Sequence, residues 1–374
     1  MKAKTIVFLV CRLLLGALFV FSGFVKAIDP WGSAYKFEEY FTTWHLQFLD
    51  FVALPASFFL SALEFVLGVC LLLGVYRTVV SLLSLLFMCF MTPLTLYLAI
   101  FNPVTDCGCF GDAWVITNWQ TFFKNILLLT MAVLVFLWRK HSKFRLKGKK
   151  ISCWATVIAA VGILSLSFYC YYDLPLMDFR PYKIGNNIDE LRQIPEGAPQ
   201  DEYSTVLIYE KDGVKQKFTI ENYPKEGWTF VDAISTLVKK GYEPPVHDFT
   251  ITTLEGDDIT DEVLSDPSYS FLLIAHRIEK AGEHNSDLIN EIYEYAQAHQ
   301  YRFLALTASL PEHIEEWREA TCAEYPFATM DATPLKTIVR SNPGLVLLHH
   351  GVVVGKWSHN KLPDQTTLDK IINN

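Results

Sequence analysis

Five apolar runs, each long enough to cross a bilayer, fill the first 172 residues of this 374-residue chain. They fall at about 5–27, 52–74, 78–101, 119–138 and 151–172, against the roughly 20 apolar residues a spanning helix needs. Hydrocarbon leaves no water to satisfy backbone N–H and C=O groups, so these runs must be helices packed on one another. MKAK gives the first run a charged start like a signal peptide. Its apolar stretch is too long for that, contains Arg12 and lacks a small-residue cleavage motif, so it is expected to remain as a helix. Residues 173–374 read instead as an ordinary acidic soluble region.

Lys and Arg in the short connections set the expected orientation. Lys2 and Lys4 precede the first run, Arg77 separates the second and third, and RKHSKFRLKGKK at 139–150 joins the fourth and fifth. With five spans all three segments fall on one side, which should be the cytoplasm. Segments 28–51, 102–118 and everything after 172 should then lie outside. The expectation is a multi-pass cytoplasmic (inner) membrane protein, N-terminus inside, with its C-terminal region in the periplasm. The net charge of −8 and the absence of a basic stripe argue against nucleic acid as a partner.

One segment between runs carries chemistry: NPVTDCGCFGDAWVITNWQT, with Cys107 and Cys109 around Gly108. Outside the membrane, an oxidising compartment favours disulfide chemistry. A closed loop of three residues is a poor staple, because it removes little unfolded-state entropy. The tight geometry suits an exchanging pair better, and glycine supplies the backbone freedom the ring needs. A local disulfide or free thiols, and a metal site lacking its further ligands, remain as alternatives. Cys170, at the outer end of the fifth run, is a candidate resolving thiol at the same level.

Ionisable groups within the runs are costly and usually face the bundle interior. Glu64 lies mid-span, a candidate for proton handling or for a polar clamp between helices, with Arg12 its partner if the stagger allows. Asn125 reads as an interhelical hydrogen-bonding group. Lys26 and Lys124 are placed to snorkel or to line the outer opening. Pro93 is expected to kink the third span. No hydrolase or phosphate-binding signature is present.

In the soluble half, 173–203 carries frequent Pro, Gly and Asn and reads as a tether. STVLIYEKDGVKQKFTIEN predicts a hairpin turning at Asp212-Gly213; WTFVDAISTLVKKGY has helical spacing ending on Gly241. Together 173–245 is expected to be a linker and a small α/β element. From 246, buried strands (SYSFLLIAH, YRFLALTAS) alternate with helices (DLINEIYEYAQAH, PEHIEEWREAT), and PGLVLLHHGVVVGKW closes as a hairpin. This order over 246–374 resembles the thioredoxin fold. The resemblance implies a cis bond at Pro343 and a binding role for that residue. The segment after the first buried strand, AHRIEKAGEHN, lacks the Cys-x-x-Cys of thioredoxins. The domain's one cysteine, Cys322, reads as a small packing residue.

The membrane half resembles the MauE/DoxX group of redox-associated membrane proteins. The matching stretches are CRLLLGALFVFSGFVKAIDP, LSALEFVLGVCLLLGVYR and DCGCFGDAWVITNWQTFFKNILLL, with C-G-C-F-G the most specific. The resemblance implies a four-helix bundle over 1–138; residues 139–172 add the basic loop and a fifth helix that carries the soluble region outward. It further implies electron exchange at Cys107 and Cys109 with an extracytoplasmic thiol protein. A membrane quinone is the cofactor expected for the bundle. The competing expectation is a non-catalytic scaffold whose cysteine-less thioredoxin-like domain recruits a secretion, transport or envelope-assembly partner.

Overall fold

The computed structural model describes residues 2–140, 148–211, 213–224, 227–239 and 241–373. Most of the basic cluster after the fourth span and Asp212 of the expected hairpin turn lie outside these. Five helices have the length and apolarity to cross a membrane: α1 (Lys2–Ile28), α3 (Asp50–Leu73), α4 (Arg77–Phe101), α5 (Asn118–Leu137) and α6 (Lys149–Tyr172), while α2 (Pro30–Thr43) is shorter and amphipathic. The chain is a multi-pass membrane protein.

Small residues set the closest helix pair. A Cβ on Gly23 of α1 would stand 2.5 Å from the Phe65 backbone nitrogen of α3, and one on Gly68 of α3 would stand 2.6 Å from that of Val20. Only glycine permits this backbone approach, the device membrane helices use where lipid supplies no hydrophobic drive. Helices α4 and α5 are tied by a polar contact instead: Asn125 donates to Thr95 Oγ1 at 3.1 Å. Asn125 therefore acts here as an interhelical clamp. Helix α4 continues through Pro93.

Helix α2 lies within 28–51, where the hydropathy pattern predicts only a connection. Its start is nonetheless written locally: Asp29 accepts from the Gly32 N–H and Pro30 occupies the first turn, a capped N-terminus with the missing proline donor costing nothing.

After the bundle come α7 (Ile188–Arg192) and three antiparallel strands, β1 (Glu202–Lys211), β2 (Val214–Thr219) and β3 (Thr229–Lys239), in the order β2-β1-β3. The hairpin of β1 and β2 is as expected. The helix expected over 228–242 is instead strand β3, so this element is all-β, not α/β. Its Thr, Val, Ile and Phe content suits a pleated surface, and antiparallel pairing with β1 over most of its length, broken by two register shifts, overrides the weak helical spacing. The expected tether is also corrected. Tyr182 and Ile188 are buried in the next domain's core, and the Gly185 N–H donates to the Val353 carbonyl.

The C-terminal unit contains β4 (Thr252–Thr253), α8 (Thr260–Leu264), β5 (Tyr269–Ala275), α9 (Ser286–Ala298), β6 (Arg302–Thr307), α10 (Pro311–Thr321), β7 (Phe327–Thr329), α11 (Ala332–Ile338), β8 (Gly344–His349), β9 (Val352–Ser358) and α12 (Gln365–Ile372). The sheet runs β4-β7-β6-β5-β8-β9. Strands β5, β6 and β7 are parallel, and β8 and β9 form the antiparallel hairpin. Strand–helix–strand, helix, hairpin, with β5 central beside both β6 and β8, is the thioredoxin arrangement. Alternation along β5 feeds two cores: Leu272 and Ile274 face one layer, Phe271, Leu273 and Ala275 the other, as period-two strands buried on both faces require. Asn342-Pro343 is cis. Cys322 is exposed, not packed, at the left-handed cap of α10.

Candidate functional site

The cysteine loop, α2 and the thioredoxin-like unit gather at one end of the bundle. Arg77 and Lys149, which open α4 and α6, stand at the other. The loop between α4 and α5 is held at its base by Asn118, whose side-chain amide donates to Asn102 Oδ1 at 2.9 Å and to the Val104 carbonyl at 2.8 Å. Its turn is fixed by Asp106, which accepts from the Gly108 N–H at 2.8 Å. Gly108 takes φ +65°, and a Cβ there would lie 3.0 Å from Lys36 Cγ; a left-handed backbone against a packed side chain leaves glycine as the fitting residue.

This turn points both thiols the same way. Cys107 Sγ and Cys109 Sγ lie 2.7 Å apart, within a small movement of the roughly 2.05 Å bond of a disulfide. Cys107 Sγ also stands 3.6 Å from the Thr121 hydroxyl, in the first turns of α5, and accepts from the Cys109 N–H at 3.3 Å. The two thiols are driven in opposite directions. The hydrogen bond from Cys109, with Thr121 and the Lys124 charge against the cost of burial, pulls the Cys107 thiol down to about 6. The same hydrogen bond, then burial, pushes the Cys109 thiol well above its ordinary range. One sulfur is thereby prepared as a thiolate and the other as its proton donor.

The floor beneath the loop is a buried ionic group. Lys26 Nζ donates to Ser22 Oγ at 2.7 Å, to Glu64 Oε2 at 2.8 Å and to the Cys109 carbonyl at 2.8 Å; Ser22 Oγ donates to the same carbonyl at 2.7 Å. All three ammonium protons are used, as a desolvated charge requires. Glu64 thus pairs with Lys26 and not with Arg12. Arg12 is buried elsewhere on α1, with Phe8 beside its guanidinium, and the structure does not bring it to the site.

Helix α2 closes the outer side. The Tyr40 hydroxyl donates to the Cys107 carbonyl at 3.0 Å. Lys36 bridges Asp106 at 2.7 Å and Glu39 at 2.8 Å; burial opposes its charge, but the two carboxylates hold its proton affinity above the usual lysine range. Ser22, Lys36 and Tyr40 escaped the sequence reading. A capped helix at Asp29-Pro30 was the available signal for the last two.

Cys170 is fully buried near the Leu176 backbone and Asp29; among the described residues no contact joins it to Cys107 or Cys109. Pro343 is buried, while its neighbour Asn342 donates to the Arg277 carbonyl at 2.7 Å. Among the described residues no group of three His, Cys, Asp or Glu could hold a metal ion.

The thioredoxin-like unit presents the end of β5 and the segment before Pro343 to α2. His276 stacks edge-on against Tyr35 at 5.8 Å between centroids. Arg340 donates to Asp29 and, at 2.9 Å, to Asp112 just after the cysteine loop. Lys336 meets Glu38 at 3.2 Å.

Residues 4–138 match the family model of the methylamine utilisation protein MauE. Residues 203–240, the three-stranded sheet, match a domain of unknown function, DUF8463. No curated protein matches the chain. Among solved structures, a candidate protein disulfide isomerase from Bacteroides thetaiotaomicron is similar at 18% identity, over 34% of this chain and 84% of that one, with a TM-score of 0.28.

Proposed function

We propose that the protein is a thiol–disulfide redox component of the cell envelope, with Cys107 and Cys109 as its working pair. The observation that carries this is the pair itself: two sulfurs 2.7 Å apart, one thiol lowered to about 6 and the other raised. In the oxidised form a partner's thiolate attacks Cys109 Sγ and Cys107 departs as the thiolate, because the thiol of lower pKa leaves faster. A second partner thiolate then attacks the partner's sulfur in the mixed disulfide and Cys109 leaves, taking a proton. Two partner thiols become one disulfide, and the pair becomes a dithiol.

The partner is an extracytoplasmic thiol protein, and the loop faces the periplasm, with the inner membrane holding the bundle. Lys4, Arg77 and Lys149, at the opposite end of the helices, support that orientation. The thioredoxin-like unit, beside the loop and without a dithiol of its own, positions the partner. Substituting either cysteine tests the reading: Cys107→Ser keeps the attacked sulfur and should trap a mixed disulfide on Cys109 in intact cells, and Cys109→Ser leaves the Cys107 thiolate to be trapped on a partner's disulfide in the reverse direction. No trapped species from either variant, with Cys107 and Cys109 fixed in one redox state under oxidant and reductant, sinks it.

One observation favours a second reading. The segment after β5 has no cysteine and its His276 edge is already seated on α2, as in a scaffold that only recruits. Full function in a Cys107→Ser/Cys109→Ser double variant would select that reading.

A further inference from the structure

Below the cysteine loop lies a cavity of about 370 Å³ between α2, α3 and α4, within the size range of small-molecule sites. Its walls are aromatic and apolar, with Phe37, Phe41 and Trp44 from α2, Phe59 from α3, and Phe90 and Met91 from α4. Its other end is polar and carries Cys107, Cys109, Tyr40, Lys26 and Glu64. Phe59 and Phe90 are 67% and 68% exposed on spanning helices, so the cavity communicates with the lipid flank of the bundle. A water-borne peptide would not arrive by that route, whereas a flat lipid-soluble ring would.

We infer that this cavity is a binding site for the ring of a membrane quinone, seated with its carbonyl edge toward the Cys107–Cys109 pair. The inference rests on the redox reading above and names the oxidant. Closing two thiols into one S–S bond releases two electrons and two protons. A quinone takes up the same count, its two carbonyl oxygens becoming hydroxyls, so dithiol plus quinone gives disulfide plus hydroquinone. No other oxidant is needed. Flat aromatic walls favour the ring by offset stacking, and the lipid-facing opening leaves room for an isoprenoid tail.

The full-length protein, purified in detergent and freed of quinone, tests this with decylubiquinone as the probe. Saturable quenching of Trp44 fluorescence, lost in Trp44→Phe, is expected. Ala56 lines the cavity, and Ala56→Phe should weaken binding by about tenfold, the scale of overpacking a filled site. Cys107→Ser/Cys109→Ser should bind the probe but no longer reduce it, followed by the loss of quinone absorbance. Native mass spectrometry of protein taken directly from membranes should show a quinone mass. A bound phospholipid that decylubiquinone does not displace, or unchanged binding in Ala56→Phe, overturns the inference. The redox reading is tested separately: the pair should cycle with a soluble disulfide in the absence of quinone. Cycling without quinone binding rejects the cavity assignment alone, whereas no cycling rejects the underlying reading.

Discussion

Arg340 and Asp112 meet guanidinium to carboxylate at 2.9 Å although 228 residues separate them in the chain. The contact joins the thioredoxin-like unit to the cysteine loop, while Arg340 Nε donates to Asp29, which also caps α2, and Nη1 to the Lys336 carbonyl. The Arg340 side chain is 7% exposed and Asp112 42%. Arg340→Leu should therefore destabilise the junction by about 3 kcal/mol, the low end for breaking a buried pair because Asp112 is partly screened. Hydrogen exchange would show it as faster exchange in α2 and at 332–343. Unchanged exchange there would mean that Arg340 does not hold the two units together.

The thiols should titrate far apart. Cys107, at about 6, is a thiolate above that pH, so its alkylation rate should rise through pH 6 instead of near the usual 8.5 or so. Cys109, raised by its hydrogen bond and burial, should stay unreactive across neutral pH. Cys109→Ala removes the principal donor to the Cys107 thiolate, and the Cys107 midpoint should climb back toward the ordinary range. Peptide mapping after pulses of iodoacetamide at pH 5 to 9 reads both effects. Equal labelling of the two sulfurs at pH 7 would contradict the assignment.

His276 gives the thioredoxin-like unit an acid sensitivity. Burial, then the Lys336 and Arg277 charges, lowers its imidazole to about 3. An unfolded chain would bind that proton below about 6.5. Between 6.5 and 3 the unfolded state therefore holds more protons, and native stability falls as pH falls. The loss from this group should reach about 2 kcal/mol by pH 5, at 1.36 kcal/mol per unit. His276→Phe keeps an aromatic ring beside Tyr35 and removes the titration. Thermal midpoints at pH 7 and pH 5 should converge in that variant; an equal drop in both proteins would assign the sensitivity elsewhere.

Long-period features of this protein were legible in its residues, and contacts set by three-dimensional register were not. Hydropathy placed all five spans within a few residues, since membrane length leaves little freedom. Alternating buried strands and helices carried the resemblance to the thioredoxin order, and that resemblance implied the cis bond found at Pro343. Strand β3 was misread because Phe230, Ile234 and Val238 also fall at helical spacing; its pairing with β1 decided the matter. Helix α2 does not stand out in hydropathy because Lys36, Glu38 and Glu39 are interleaved with its aromatic residues. The Lys26–Glu64 pair was out of reach for another reason. Which acid in α3 faces which base in α1 depends on helix rotation and on the close Gly23 and Gly68 crossing.

That pair makes the sharpest stability test. Lys26 and Glu64 side chains are 7% and 5% exposed, 2.8 Å apart, and Lys26 also holds the Cys109 carbonyl. Lys26→Met would leave the Glu64 carboxylate buried without its cation, a change that typically costs about 3–5 kcal/mol. Glu64→Leu would strand the ammonium by a similar amount. The double variant Lys26→Met/Glu64→Leu removes both charges and should recover most of that loss, because a buried pair often does little better than apolar residues of similar volume. Thermal unfolding of the four proteins in one detergent closes the cycle, and the coupling should be several times the about 0.5 kcal/mol at which separate sites count as additive. Additive losses would mean that the two side chains do not meet. Ser22 still reaches the Cys109 carbonyl in the double variant, so the cysteine loop should keep its place there, and Cys107 should keep its early alkylation.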